Sequence, residues 1–189
     1  MPTRKSPKAG NALAMLKSDH QKVKGLFDQF EAAKGTKAKQ TVASEAIMEL
    51  KIHASVEEDY FYPALRQNIE DEEGLMDEAD EEHHVAKFLI AELEAMKGDE
   101  DHWEAKFKVL AESVRHHIKE EEGEIFPKAR ETDIDFTALG ATMAEMKAQL
   151  QREGVPPDSE SQMVAKSGVR GDSPAKQAQE KLQVPMKAA

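Results

Sequence analysis

His53-Ala54-Ser55-Val56-Glu57-Glu58, with Tyr62-Pro63 just beyond, returns 64 residues later as His117-Ile118-Lys119-Glu120-Glu121-Glu122, with Phe126-Pro127 just beyond. A His and a Glu four residues apart on a helix project from one face, about one turn from each other. Two such helices facing one another bring two imidazoles and two carboxylates to one point of a bundle core. That donor set is a candidate metal site, of a size that suits two ions.

Around the two copies, apolar residues fall at helical spacing in four long segments. In the first, Leu13, Leu16, Val23, Phe27 and Phe30 form one stripe, with Asn11 as N-cap and Gly35 as stop. The second runs from about Thr36 to Asn68, and Pro63 is expected to bend or end its regular part. The third carries Met76, Ala79, Ala86, Ile90 and Leu93 and stops near Gly98. The fourth opens near Asp99 or Asp101 and carries Trp103, Phe107, Leu110 and Val114 to about Arg130. A shorter segment, Phe136 to Gln151, reads as a fifth helix laid across the bundle end. The expected fold is all-α: an up-down-up-down four-helix bundle plus a short additional C-terminal helix, over residues 10–151. Residues 1–9 read as a flexible N-terminus. Beyond Arg152, Pro156, Pro157, Pro174 and Pro185 stand among Ser, Gln, Lys and Gly without an apolar period, so 152–189 is expected to be a disordered tail.

Composition agrees with helices: 33% of residues are charged and only 5% aromatic, a balance that favours helix over sheet. A net charge of −11 argues against a nucleic-acid surface. No cysteine is present, which excludes disulfides, thiolate-held zinc and cysteine-held iron–sulfur clusters. The basic N-terminus has no apolar run long enough for a secretory signal, and no stretch reaches a membrane span. A cytoplasmic protein without membrane contact is the expectation.

Each apolar stripe, continued by steps of three and four, meets a histidine: His20, His53, His83 and His117. Their neighbours His84 and His116 fall on charged faces and are expected to point to solvent. The four are 33, 30 and 34 residues apart, and the midpoints between successive pairs fall at the expected turns. In an antiparallel bundle, residues equidistant from a turn share one level. Glu57 and Glu121 lie a turn away on the same faces. Buried without a cation, those two carboxylates would be costly as anions and would tend to protonate. Imidazole with carboxylate suits iron, manganese or zinc, and four His with two Glu exceed one tetrahedral zinc. Glu58, Glu120 and Glu122 read as solvated surface, and Asp71, Glu72 and Glu73 as surface or a helix start. Tyr60 and Glu124, seven residues after His53 and His117, are expected to face the site.

In order and spacing, these residues resemble the hemerythrin-like (HHE cation-binding) proteins, whose pattern is His, His-x-x-x-Glu, His, His-x-x-x-Glu. The resemblance covers about Asn11 to Arg130 and includes Tyr62-Pro63 and Phe126-Pro127. It implies two non-haem irons, one held by His20 and His53 and the other by His83 and His117, bridged by Glu57 and Glu121. The oxygen-carrying members have a further histidine four residues from the third; here those positions are Ala79 and Lys87. The six-ligand set is similar to that of bacterial di-iron proteins of nitrosative stress and cluster repair. The resemblance therefore implies a protein that binds or reacts with oxygen, nitric oxide or peroxide in stress protection or sensing, with a possible redox partner. The alternatives are an iron-handling, peroxide-decomposing or nitric-oxide-reducing enzyme, and a metal-free structural bundle.

Overall fold

A computed structural model describes residues 10–69 and 74–167. The expectations for residues 1–9, for the acidic run at Asp71–Glu73 and for the tail from 168 to 189 lie outside the described residues. Every regular element among the described residues is helical.

Asn11 caps the first helix as expected, its side chain accepting from Leu13 N–H at 3.0 Å, and α1 runs Ala12–Ala32. Gly35 takes φ 84°, a left-handed value that glycine adopts without strain, and α2 follows over Thr36–Val56. A π-helical turn, Glu57–Phe61, leads into α3, Tyr62–Arg66. The third rod is α4, Leu75–Ala95. The fourth is α5, Trp103–Glu120, followed by a second π-helical turn, Glu121–Ile125, and by α6, Phe126–Ala129. Short connections between long rods give antiparallel neighbours, and α1–α2, α2–α4, α4–α5 and α5–α1 pack around one core.

Both π turns have one physical origin. Pro63 and Pro127 lack an N–H, and in an α-helix their rings would collide with the carbonyl four residues back. The chain widens instead: Tyr62 N–H and Phe126 N–H each reach the carbonyl five residues earlier, Glu57 and Glu121. Pro63 thus closes a π turn and opens a new α segment, where a bend or an end was expected.

α7, Phe136–Glu153, is capped by Asp135, which accepts from Thr137 and Ala138 N–H at 3.0 Å. It packs against α1, α2 and the first π turn. Its Gly140 passes so close to the start of α1 that an added Cβ would lie 2.2 Å from Gly10 O.

The expected disorder from 152 onward does not describe residues up to Ser167. Gly154–Asp158 crosses the bundle surface, and α8, Ser159–Ser167, packs on α4 with Glu160 and Val164 buried. The sparse apolar pattern is physically adequate here because the nine-residue helix has only one narrow face to cover.

The core has two apolar clusters. One holds Phe27, Phe30, Trp103 and Phe107; the other holds Leu16, Phe61, Tyr62 and Phe126. All six predicted ligands lie along the chain between members of the two, so the polar layer sits where the apolar clusters meet.

Candidate metal centre

The structure brings together His20, His53, Glu57, His83, His117 and Glu121, each from 0 to 7% exposed. They form two overlapping groups of potential metal donors: His20, His53, Glu57 and Glu121, and Glu57, His83 and His117. His20 and His53 fall in the first group, His83 and His117 in the second. Glu57 Oε2 lies 3.1 Å from His53 Nε2 and 3.5 Å from His83 Nε2. Glu121 Oε2 lies 3.0 Å from His20 Nε2 and 3.7 Å from His117 Nε2. Each carboxylate therefore faces an imidazole of both groups.

The outer nitrogens are arranged as consistently as the inner ones. His20 Nδ1 meets Glu122 at 2.9 Å, His83 Nδ1 meets Glu58 at 2.9 Å, and His117 Nδ1 meets Glu82 at 2.8 Å. His53 Nδ1 faces Asp19 at 3.8 Å. A carboxylate at Nδ1 favours the tautomer with the proton there and leaves Nε2 as a lone pair. Three of these carboxylates carry a lysine in turn: Lys24 on Glu122, Lys87 on Glu58, and Lys147 of α7 on Asp19.

Glu58 and Glu122, expected to be plain surface, thus orient two of the histidines. Asp19 and Glu82 were not anticipated at all. The signal for them was local: an acidic residue precedes both His20 and His83, and a second glutamate follows both Glu57 and Glu121. Glu120 does belong to the surface, 3.1 Å from His116. His84 and His116 are about half exposed, with His84 Nδ1 hydrogen-bonded to Glu160 at 2.6 Å.

Tyr60 and Glu124 are displaced from the site by the π turns. Each turn takes in extra chain, so the inward positions fall nine residues after the histidine rather than seven. Tyr62 donates to Glu121 Oε1 at 3.0 Å, and its hydroxyl lies 3.2 and 3.3 Å from Nε2 of His83 and His117. Phe126, in the equivalent place, stacks on His20 at 5.7 Å between ring centroids. Glu124 is exposed and Tyr60 only packs against the apolar cluster.

The donor set fits a cation. Among the described residues, His20 Nε2, both ring nitrogens of His53, both oxygens of Glu57 and Glu121 Oε2 are buried without a hydrogen-bond partner. Such orphaned groups are rare because each costs about 1–3 kcal/mol, more when charged. His83 Nε2 and His117 Nε2 also approach to 3.0 Å; with both protons at Nδ1, two lone pairs face each other, an arrangement that a positive ion relieves. In the metal-free chain, burial and then the Glu121 charge push the Glu57 carboxyl well above its ordinary value. Burial would also raise Glu121, but the His20 contact and the His117 and His53 charges outweigh it and hold it low. Burial drives His53 down to about 4, and drives His83 down as well. At His117 the Glu82 and Glu121 carboxylates overcome burial and shift it upward. A neutral imidazole is the form that binds metal.

A buried imidazole–carboxylate layer in an antiparallel helical bundle defines the class of metal-binding helical bundles. Residues 11–129 match the hemerythrin HHE cation binding domain, and the chain belongs to that family. Among solved structures it is similar to the hemerythrin HHE cation-binding-domain protein of Mycobacterium kansasii that is the Rv2633c homolog. The two share 27% identity and a TM-score of 0.63, over 77% of this chain and 94% of that one. It is also similar to a DNA nickase of Nostoc sp. strain PCC 7120, at 26% identity over 120 residues, or 64% of this chain. The match spans about a third of that relative's length (34%), and nicking is a property of that protein.

Proposed function

We propose that the chain is a non-haem di-iron protein that binds or reacts with a small ligand, namely dioxygen, nitric oxide or peroxide, in stress protection or sensing. His20 and His53 would hold one iron, His83 and His117 the other, with Glu57 and Glu121 bridging. The observation that carries this reading is that each carboxylate faces an imidazole of both donor groups. Bound iron supplies an electrophilic, redox-active centre. The chain supplies the rest. Outer carboxylates anchor the rings of His20, His83 and His117 at Nδ1, Tyr62 donates a hydrogen bond to Glu121, and apolar clusters pack on either side.

A reading as an enzyme that turns over peroxide or nitric oxide is favoured by one feature. Ala79 and Lys87 stand where oxygen carriers of the family have a further histidine, and Lys87 is engaged with Glu58 at 2.5 Å. Reduced protein that binds one equivalent of ligand and then stops would rule turnover out.

Metal content by mass spectrometry tests the centre. Protein purified without chelators should hold about two irons per chain, and the double variant His53→Leu, His117→Leu should remain folded with none. Manganese or zinc in place of iron would overturn the iron assignment. Less than one metal per chain, not restored by anaerobic iron addition, would leave a structural bundle.

A further inference from the structure

A cavity of about 250 Å³ opens in front of the four histidines. Leu50, Ala86, Ile90 and Val114 line its inner side, and Val155–Asp158 line it from outside. That outer strap lies beyond the residues that match the family. It is built to stay in place. Pro156 and Pro157 have fixed φ and no N–H to satisfy, and Asp158 accepts from Ser161 N–H at 2.7 Å at the start of α8. α8 in turn seats Val164 (4% exposed) on α4 and hydrogen-bonds Glu160 to His84 at 2.6 Å.

The size of the space exceeds what a diatomic ligand needs. An apolar cavity of about 150 Å³ accommodates benzene, and one water occupies about 30 Å³ of liquid. Of the charged residues that line it, Lys51 is paired with Glu94 at 2.9 Å, Lys87 with Glu58 at 2.5 Å and Glu82 with His117 at 2.8 Å, and Asp59 is exposed. An incoming molecule therefore meets mostly aliphatic surface, with the histidines at one end.

We propose that the Val155–Asp158 strap completes an apolar chamber before the histidines, and that the chamber takes an organic ligand with an apolar body of about benzene size or slightly larger. The metal-site reading enters only in the orientation: an oxygen-bearing head, such as a carboxylate or hydroperoxide, would point toward the histidines. The strap is then the size filter of the site.

Fluorobenzene titrated against the full chain as purified, and followed by fluorine NMR, tests the chamber. The wild-type chain should shift and broaden the line saturably. Ala86→Phe, which fills the chamber, should weaken binding at least tenfold. Val164→Asp, which places a charge under α8 and lifts the strap, should do the same while circular dichroism and iron content stay unchanged. Binding by wild type that does not saturate overturns the proposal, as does an Ala86→Phe chain that binds as tightly as wild type. If Val164→Asp does not fold, Ala86→Phe decides alone. Iron content separates the two readings: a chain without iron that binds fluorobenzene saturably, and loses it on Ala86→Phe, keeps the chamber and overturns the di-iron centre.

Discussion

Glu58 and Glu122 sit 30% and 31% exposed, yet each holds the Nδ1 of a histidine that is buried. A histidine ligand whose outer nitrogen is anchored binds metal more tightly, because its ring arrives already oriented and more basic. Glu58→Gln and Glu122→Gln keep the volume and remove the charge. Each should weaken iron retention about 10–100-fold in chelator competition, while the helical content stays that of wild type. Glu120→Gln, whose carboxylate meets the exposed His116 at 3.1 Å, should leave retention unchanged. These residues were hidden in the sequence because helical spacing sorts positions by face, and a position beside the core-facing stripe looks solvated. What decides its role is a partner on another rod: Glu122 meets His20, which is 102 residues away.

Among the elements, the four rods, their order and the inward placement of four histidines and two glutamates could be read from apolar periodicity and the equal spacing of histidines from turns. The two π turns could not. Proline announced a disturbance at residues 63 and 127, but only the structure shows that the chain absorbs it by widening upstream, which carries Tyr62 into the site and Tyr60 out of it. α8 was illegible for a different reason: one buried valine and one buried glutamate in nine residues do not make a period. α7 was legible, and its docking is testable at one atom. A Cβ at Gly140 would meet Gly10 O at 2.2 Å and Ala12 N at 2.7 Å, both backbone atoms that cannot rotate aside. Gly140→Ala should destabilise the chain by about 1–3 kcal/mol despite alanine's better helix propensity. Thermal unfolding should register this as a fall of roughly 2–4 °C per kcal/mol. Because Lys147 of the same helix contacts Asp19, iron retention should fall with it.

For the molecule as a whole, the buried carboxylates couple folding, protons and metal. Glu57 titrates well above its ordinary 4.5 in the metal-free folded chain, chiefly through burial. Between those two values the folded state holds a proton that the unfolded state has released, so stability of the metal-free protein should fall as pH rises across that window. Asp19 has the opposite sign. Burial raises it, but the His53 and Lys147 contacts prevail and hold it below 3.8, so its contribution is complete above that pH and lost below it. In the proposed centre a metal ion would take the Glu57 carboxylate and expel its proton, so affinity should rise with pH over the window in which metal-free stability falls. Denaturant titrations of the metal-free chain, and calorimetry of metal binding in two buffers of different ionisation heat, measure the two effects. The 64-residue repeat has a consequence of its own. Two identical half-chains related by a twofold axis would have to place the same ring on both sides of the centre. Joined in one polypeptide, the halves are free to differ, and they do: a phenol hydroxyl stands over His83 and His117 where a bare phenyl ring covers His20. The two ends of the centre are chemically distinct addresses, and a ligand arriving between them has a front and a back.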